Sequence, residues 1–527
     1  MNAKWIGRPV GGFVGVLAGA AALGVAEIFA AFTGGAQASP VIAVGSAGIT
    51  LTPEWLKEFA IRHFGTNDKL ALLVGLGATV AVLAVVIGIV ARWRLKPGLT
   101  GFIAFGVIGA VAAVTRPTGG WTTAVPSIAG CLAGMAALTL LVRAMARAGL
   151  TSRPSPRTQA EPETAAGIRT DPKPGRRGLL IAGAGTLVVA GATGLGGRLL
   201  LDRKNVGAVR KAVRLPRPAS PAKAVPAGAQ IRIPGMTPFV TPNNDFYRVD
   251  TALTLPQVSP HDWMLRIHGM VDRPVELSFD DLLKQPMLER DITLSCVSNQ
   301  VGGRYAGNSR WLGASLAGLL RRAGVRSGAD QVLSRSSDGF TVSTPIETIM
   351  DGRDALLAVG MNGEALPVAH GFPARMIVPG LYGYVSATKW VVDLKVTRFA
   401  TDRAYWTKRG YAENAPVKTL SRIDVPQSFA QVKAGRVAVA GTAWAQHRGI
   451  DLVEVRADGG PWRKARLAPV PGLDTWRQWV IEWDAAPGSH RLEVRATDGT
   501  GAVQPQKRVP VIPDGATGWH SVVVTVA

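Results

Sequence analysis

Long apolar runs separated by basic breaks fill the first two hundred residues, and short alternating stretches take over after them. Uncharged runs occupy 9–26, 70–91, 98–115, 117–142 and 178–197, each close to the roughly 20 residues that span a hydrocarbon core. The pattern predicts five transmembrane helices. Lys4 and Arg8 precede the first run, Arg92, Arg94 and Lys96 separate the second from the third, and Arg143, Arg147, Arg153, Arg157, Arg176 and Arg177 lie between the fourth and fifth. Basic flanks favour the cytoplasmic side, so an odd number of spans leaves everything after Arg198 outside the cytoplasmic membrane of a bacterium. Glu27 interrupts the first apolar helix. An intramembrane acid is a functional candidate, but a position near the helix end, reaching headgroups, accounts for it as well.

The chain then divides as a four-helix transmembrane region (1–150), a cytoplasmic linker (151–177), a fifth helix (178–202), a basic outer tether (203–230) and two outer domains. The linker is rich in Pro and charge and lacks periodicity. From 231 to 417 the texture is mixed, with strands such as "WMLRIHG", a helical "LGASLAGLLRRAG", and strands again at "PARMIVPG" and "TKWVVDLKVT". This predicts an α+β domain. From 418 to 527 only strands follow: "AGRVAVAGTAWA", "DLVEVRAD", "RQWVIEWDA", "SHRLEVRATD" and "SVVVTVA", with turns such as Asp458-Gly459-Gly460 and Asp498-Gly499 between them. That spacing predicts an antiparallel sandwich of immunoglobulin-like type.

The net charge of +23 invites a nucleic-acid reading, and its distribution removes the invitation. Residues 1–202 hold 18 Lys/Arg against 8 Asp/Glu, and 203–230 hold 7 against none, which leaves +6 for 231–527. The excess hugs the membrane, where basic residues set topology and attract anionic headgroups. The membrane, not nucleic acid, is the expected partner of this charge. No glycine-rich phosphate loop or zinc-spaced Cys/His set occurs.

Two cysteines are present, Cys131 and Cys296. Cys131 lies in the fourth apolar run, where a thiol behaves as a small apolar group. It falls on the other side of a topological divide from Cys296, so the two are not expected to pair. Cys296 is then a lone thiol in an oxidising compartment. Three readings stand open: a buried core residue, a nucleophile served by His261, His268 or His370, or a metal ligand whose remaining partners arrive with a cofactor.

The stretch 291–319, "DITLSCVSNQVGGRYAGNSRWLGASLAGL", resembles the sulfite oxidase family of molybdopterin oxidoreductases. There a cysteine is followed three residues later by Asn and then by Gly-Asn-x-x-Trp-x-Gly, here Gly307, Asn308, Trp311 and Gly313. A second segment, 361–396, is similar to the family's Asn-Gly-x-x-Leu-Pro, His-Gly-Phe-Pro-x-Arg, Pro-Gly and Lys-Trp elements in order. A third, "NNDFYRVDT" at 243–251, is similar to its amino-terminal active-site strand, and the strands after 420 resemble its carboxy-terminal dimerisation domain.

The resemblance implies a molybdenum-molybdopterin cofactor with Cys296 as metal ligand, and Arg248 and Cys296 as the catalytic pair. It places Asn244, Tyr247, Asn299, His370, Arg375, Ser386, Thr388 and Lys389 around the cofactor. Arg375 and Lys389 suit its phosphate, Arg375 by its forked donors, while Gly380 and Gly383 allow close backbone approach. The implied reaction is two-electron oxygen-atom transfer to or from a small-molecule substrate. Family members acting on sulfite read Arg-Asn-His where this chain reads Arg248-Val249-Asp250. They also carry Tyr three positions before a Trp, where Arg403 precedes Trp406 here. A bacterial branch that includes the catalytic subunit of periplasmic methionine sulfoxide reductase has instead an Asn-Asn-x-Tyr type of strand. The alternatives are a sulfite dehydrogenase proper, a thiol hydrolase using Cys296 and His370, or a cofactor-free membrane binding or assembly module.

The chain holds no haem-attachment Cys-x-x-Cys-His and no iron–sulfur cysteine set, so a separate cytochrome or quinone-linked protein is the expected electron partner. A homodimer through the carboxy-terminal domain is the expected assembly. Because the family's cofactor is assembled in the cytoplasm, the domain is expected to cross the membrane folded. "GRRGLLIAGAG", 175–185, supplies a twin-arginine pair before the last apolar run, as folded-protein export signals do.

Overall fold

The computed structural model describes residues 3–53, 56, 59, 63, 68–151, 176–203 and 205–527. The expected cytoplasmic linker lies, but for its ends, outside the described residues. Two compact units emerge: Met1–Asn205 with Ala252–Leu255, and Val206–Thr251 with Pro256–Ala527.

The first unit contains five helices long and apolar enough to cross a membrane, with spans Pro9–Thr33, Lys69–Trp93, Leu95–Val114, Trp121–Arg147 and Arg177–Leu201. Each expected run falls on one of them. A shorter apolar helix, Pro40–Leu51, was not anticipated. Residues 117–120, placed in the fourth helix by hydropathy, are non-helical turn, and the regular helix starts at Val125 with Pro126 in its first turn. Small residues let these helices approach closely: a side chain at Gly15 would run into the backbone of Ala84, and one at Gly88 into that of Gly11. The helix that carries Glu27 continues for nearly two more turns, to Thr33, and Glu27 accepts a 2.5 Å hydrogen bond from the Ser39 hydroxyl.

The second unit is built from four sheets. One has the order β3 (Met287–Ser295), β4 (Ala306–Ser315), β7 (Leu356–Met361), β8 (Glu364–Ala365), with β9 (Arg375–Ile377) also paired to β7. Another runs β2 (Val275–Ser278), β1 (Met264–Gly269), β10 (Val391–Thr397), β5 (Gln331–Ser336), β6 (Thr341–Pro345), with β1 and β10 parallel. The stretch read as one helix, "LGASLAGLLRRAG", divides. Its first four residues finish β4, and Ser315 caps helix Leu316–Ala323 by accepting from Gly318 N–H at 3.1 Å.

Residues after 418 form two sheets. The first is β11 (Leu420–Val425), β13 (Gly435–Trp444), β17 (Arg477–Ala485), β16 (Arg466–Leu467). The second is β12 (Gln431–Val432), β19 (His520–Val526), β18 (Gly488–Asp498), β14 (Ile450–Ala457), β15 (Arg463–Lys464). Alternation along these strands sends Val439 and Trp479 of the first sheet and Val453, Val494 and Val524 of the second into one shared core. These sheets belong to the same compact unit as the mixed domain. Trp444 and Trp476 are buried in the core of that domain, and Trp476 Nε1 donates to Phe239 O at 2.8 Å.

The outer tether is the clearest revision. Residues 206–230 pack against the second unit instead of hanging free. Arg210 donates to the carbonyls of Leu366 and Ala365, both at 2.8 Å, and pairs with Glu364 at 2.9 Å. Ala219 N–H reaches Met287 O at 2.8 Å, and Arg290 holds Ser220. Basic composition suggested a loose polar strap, but side chains that find carbonyl and carboxylate partners anchor the backbone.

Candidate active site

Strand β3 ends at Ser295 and delivers Cys296 into a tight loop. Cys296 N–H donates to Tyr305 O at 2.9 Å, its carbonyl accepts from Asn299 N–H at 3.0 Å, and Asn299 Oδ1 accepts from Tyr305 N–H at 2.8 Å. Asn299 therefore shapes the loop through its oxygen. Its buried Nδ2 has no hydrogen-bond partner among the described residues. The strands beneath are pinned by Thr293, whose hydroxyl donates to Asn308 Oδ1 at 2.9 Å and accepts from Trp476 N–H at 2.7 Å. Gln446 adds bonds to Thr293 O and Ser295 Oγ. Residues beyond 418 thus hold the strand that carries the thiol. Burial pushes the Cys296 thiol up, against hydrogen bonds from Ser298 and the charge of Lys389.

Arg375 on β9 is buried above the Trp311 ring, its guanidinium carbon 5.1 Å from the ring centre. Nη1 donates to His370 O at 3.0 Å, while Nε is buried without a partner. Among the described residues no carboxylate pairs with it, and burial pushes it down to about 10. His370 is also buried; burial first and Arg375 second pull it down to about 4. The neutral ring donates from Nε2 to Asn243 O at 3.0 Å, since a carbonyl can only accept. Gly371, at φ +112°, lets the backbones of 371 and 389 pass closely, because a Cβ there would lie 3.1 Å from Lys389 Cα.

Lys389 sits 4.7 Å above the Trp390 ring and donates from Nζ to Asp250 Oδ2 at 2.8 Å and to Ala369 O at 3.2 Å. Burial holds it down to about 8, opposed by Asp250. Asp250 is shared: Arg248 donates to it from Nε at 2.8 Å and from Nη2 at 3.4 Å. Tyr247 stacks on Phe246 at 5.1 Å. Burial pushes the Tyr247 hydroxyl up, Cys296 adds to the rise, and Arg375 opposes it.

Cys296, Asn299, Tyr247, His370, Arg375, Lys389 and Arg248 are thus linked by contact or charge. Three expected residues behave differently. Ser386 Oγ is fully buried and donates to the carbonyls of Leu381 and Tyr382, and Thr388 Oγ1 is bonded to Ser334 Oγ at 2.6 Å. Both hydroxyls serve the protein interior, which leaves only backbone groups of these residues for a cofactor. Asn244 is exposed, whereas its neighbour Asn243 is the one built into the network, through His370, Glu364 and Asn362. Gly380, φ +85°, is explained by packing, since a Cβ would lie 2.7 Å from Arg353 Nη1. Thr293, Gln446 and Trp476 were missed because their partners are remote in sequence, and Asn243 because an Asn-Asn doublet does not say which member turns inward.

The residues fit a large anionic cofactor that brings its own metal ligands: a lone buried thiol, an unpaired buried guanidinium, and two buried N–H groups without partners. The model of the oxidoreductase molybdopterin binding domain matches residues 252–406, just after Asn244, Tyr247, Arg248 and Asp250. Mouse mitochondrial sulfite oxidase is 29% identical over 342 residues, covering 55% of this chain and 62% of that protein. An uncharacterized oxidoreductase of Bacillus subtilis, YuiH, is 32% identical over 149 residues, covering 28% of this chain and 72% of that protein. The sulfane dehydrogenase SoxCD from Paracoccus pantotrophus is similar in structure, with TM-score 0.48 and 25% identity over 55% of this chain and 83% of that one. The class is a molybdopterin-binding oxidoreductase domain.

The chain belongs to the sulfite oxidase family of molybdopterin-dependent oxidoreductases, and its cofactor is molybdenum-molybdopterin. It spans about three fifths of the length of the mouse enzyme.

Proposed function

We propose that the protein is a membrane-anchored, outward-facing oxidoreductase that performs two-electron oxygen-atom transfer on a small substrate and exchanges electrons with a separate cytochrome or quinone-linked protein. The carrying observation is the buried thiol of Cys296 at the end of β3, set among Asn299, Tyr247, Arg375 and Lys389 with buried donors left over. In this reading Cys296 ligates the metal. Arg375 and Lys389 hold the cofactor phosphate, and Asn299, His370 and Tyr247 line its polar edges. When bound, the cofactor supplies two-electron oxygen-transfer chemistry at molybdenum. Cys296 would supply a thiolate ligand to the metal, its basicity moderated by Ser298 and Lys389. His370 stays neutral while its Nε2 is committed to Asn243, so its Nδ1 lone pair can accept a hydrogen bond. Arg248 offers donors to an oxygen that gains negative charge in the transition state.

Membrane anchoring is supported by the five apolar helices and by bare apolar surface on the last of them, where Leu180 is 71% and Val188 67% exposed. The positive-inside pattern supports the outward orientation. The two carboxy-terminal sheets suit an immunoglobulin-like sandwich and a homodimer surface. The test is molybdenum content by elemental mass spectrometry on wild type and Cys296→Ser, made in a host that synthesises the pterin. The expected result is about one metal per wild-type chain and an altered molybdenum electron spin resonance signal in the variant. Well-folded wild type without metal overturns the reading.

A further inference from the structure

The segment Tyr247–Asp250 places an acid where a free cation is expected. Asp250 is 5% exposed, and its Oδ2 receives both Lys389 Nζ and Arg248 Nε at 2.8 Å, while Oδ1 receives Arg248 Nη2 at 3.4 Å. Arg248 itself is 38% exposed. Its fork is therefore turned onto its own near neighbour, and Nη1 has no protein partner among the described residues. A hydrogen-bond donor is preserved there while part of the positive charge of Arg248 and Lys389 is offset.

We propose that Asp250 determines specificity by setting the charge preference of the site. It lets Arg248 act as a neutralised donor that selects an uncharged oxygen-bearing substrate over a dianionic oxyanion. The proposal rests on the proposed function and names its substrate class. A dianion approaching Arg248 gains attraction from the guanidinium but meets the Asp250 carboxylate a few ångströms behind it. In a partly buried site those terms are comparable in size. A substrate carrying only a polarised oxygen needs the N–H donors and loses nothing to the acid. Discrimination through a repulsive element is as effective as added attraction.

The test uses sulfate as an unreactive dianion, titrated by calorimetry into full-length protein in detergent. Asp250→Asn is expected to bind sulfate at least about tenfold more tightly than wild type, with a gain that shrinks as salt is added. Adding Arg248→Gln to that variant removes the gain, and Asp250→Glu stays near wild type. In turnover, the ratio of the KM for sulfite to the KM for dimethyl sulfoxide falls in Asp250→Asn in line with sulfate affinity. Equal sulfate affinity in wild type and folded Asp250→Asn overturns the proposal. If Asp250→Asn does not fold, Arg248→Gln in the wild-type background decides: sulfate binding is expected to change by less than about twofold, and its loss would show that Arg248 was not neutralised. Molybdenum content of the same samples separates the two readings. Metal-free protein that shows the Asp250→Asn gain removes the proposed function and leaves the charge assignment, whereas loaded protein without the gain does the reverse.

Discussion

Replacing Arg375 with Met should have opposite effects with and without cofactor. The guanidinium is buried, has one backbone acceptor in His370, and meets no carboxylate among the described residues. Burial moves it from the ordinary 12.5 to about 10, and at about 1.4 kcal/mol per unit that is roughly 3 kcal/mol spent on holding the charge. Met is similar in length and keeps contact with Trp311. The variant loses one hydrogen bond and leaves the His370 carbonyl unpaired, about 1–2 kcal/mol. In cofactor-free protein the balance is a gain of about 1–2 kcal/mol, in line with replacements of buried charge by apolar side chains. In protein made with cofactor the same change should strip the phosphate anchor and with it most of the molybdenum. The assay is thermal unfolding of full-length wild type and Arg375→Met, from hosts with and without pterin synthesis, alongside metal content. If the substitution destabilises the cofactor-free protein by 2 kcal/mol or more, Arg375 is a structural cation and the reasoning fails.

Acid should loosen the second unit through two histidines. His370 and His520 are both pulled down to about 4 by burial, with Arg375 adding at the first and Arg422 at the second. Because the unfolded chain takes up these protons near 6.5, stability is full above that pH and falls between about 6.5 and 4, by up to roughly 3 kcal/mol per site; His520→Gln should flatten the stability–pH curve, and an unchanged slope would exclude it. Thr293→Val removes the hydroxyl between Asn308 and Trp476 and should cost about 2–4 kcal/mol in denaturant unfolding, with partial loss of molybdenum; a cost under about 0.5 kcal/mol would mean those groups find other partners. Arg176→Lys with Arg177→Lys should leave the catalytic domain inside the cell, and full protease accessibility of that domain from outside would show that the pair is only a topological flank.

What could be read from the chain was whatever is periodic or local. Five apolar runs fell on five helices, and "RQWVIEWDA" coincides with a strand from end to end. Cys296 lies in one of the ordered motifs and His370, Arg375 and Lys389 in another, and the structure brings these motifs together. The errors arise where a long-range partner decides the outcome. Composition made 203–230 a tether, but Arg210 and Ser220 find partners about 70 to 160 residues away. Ser386 and Thr388 stand in the right motif, yet their hydroxyls are satisfied by Leu381, Tyr382 and Ser334, a competition that no local pattern announces.

The same long-range accounting makes the charges of the site coherent. Among the described residues three cations, Arg375, Lys389 and Arg248, surround one carboxylate, Asp250, which leaves two positive charges. A phosphate monoester carries about −1.5 to −2 near neutral pH. In the proposed assignment Arg375 and Lys389 therefore balance the cofactor phosphate, and Asp250 balances Arg248. A neutral substrate then enters a site already compensated, whereas a dianion brings charge that no further cation among the described site residues offsets. The Asp at 250, where family members acting on sulfite have His, thus links the handling of the cofactor to the choice of substrate. Its effect should appear in anion affinity before it appears in the chemical step.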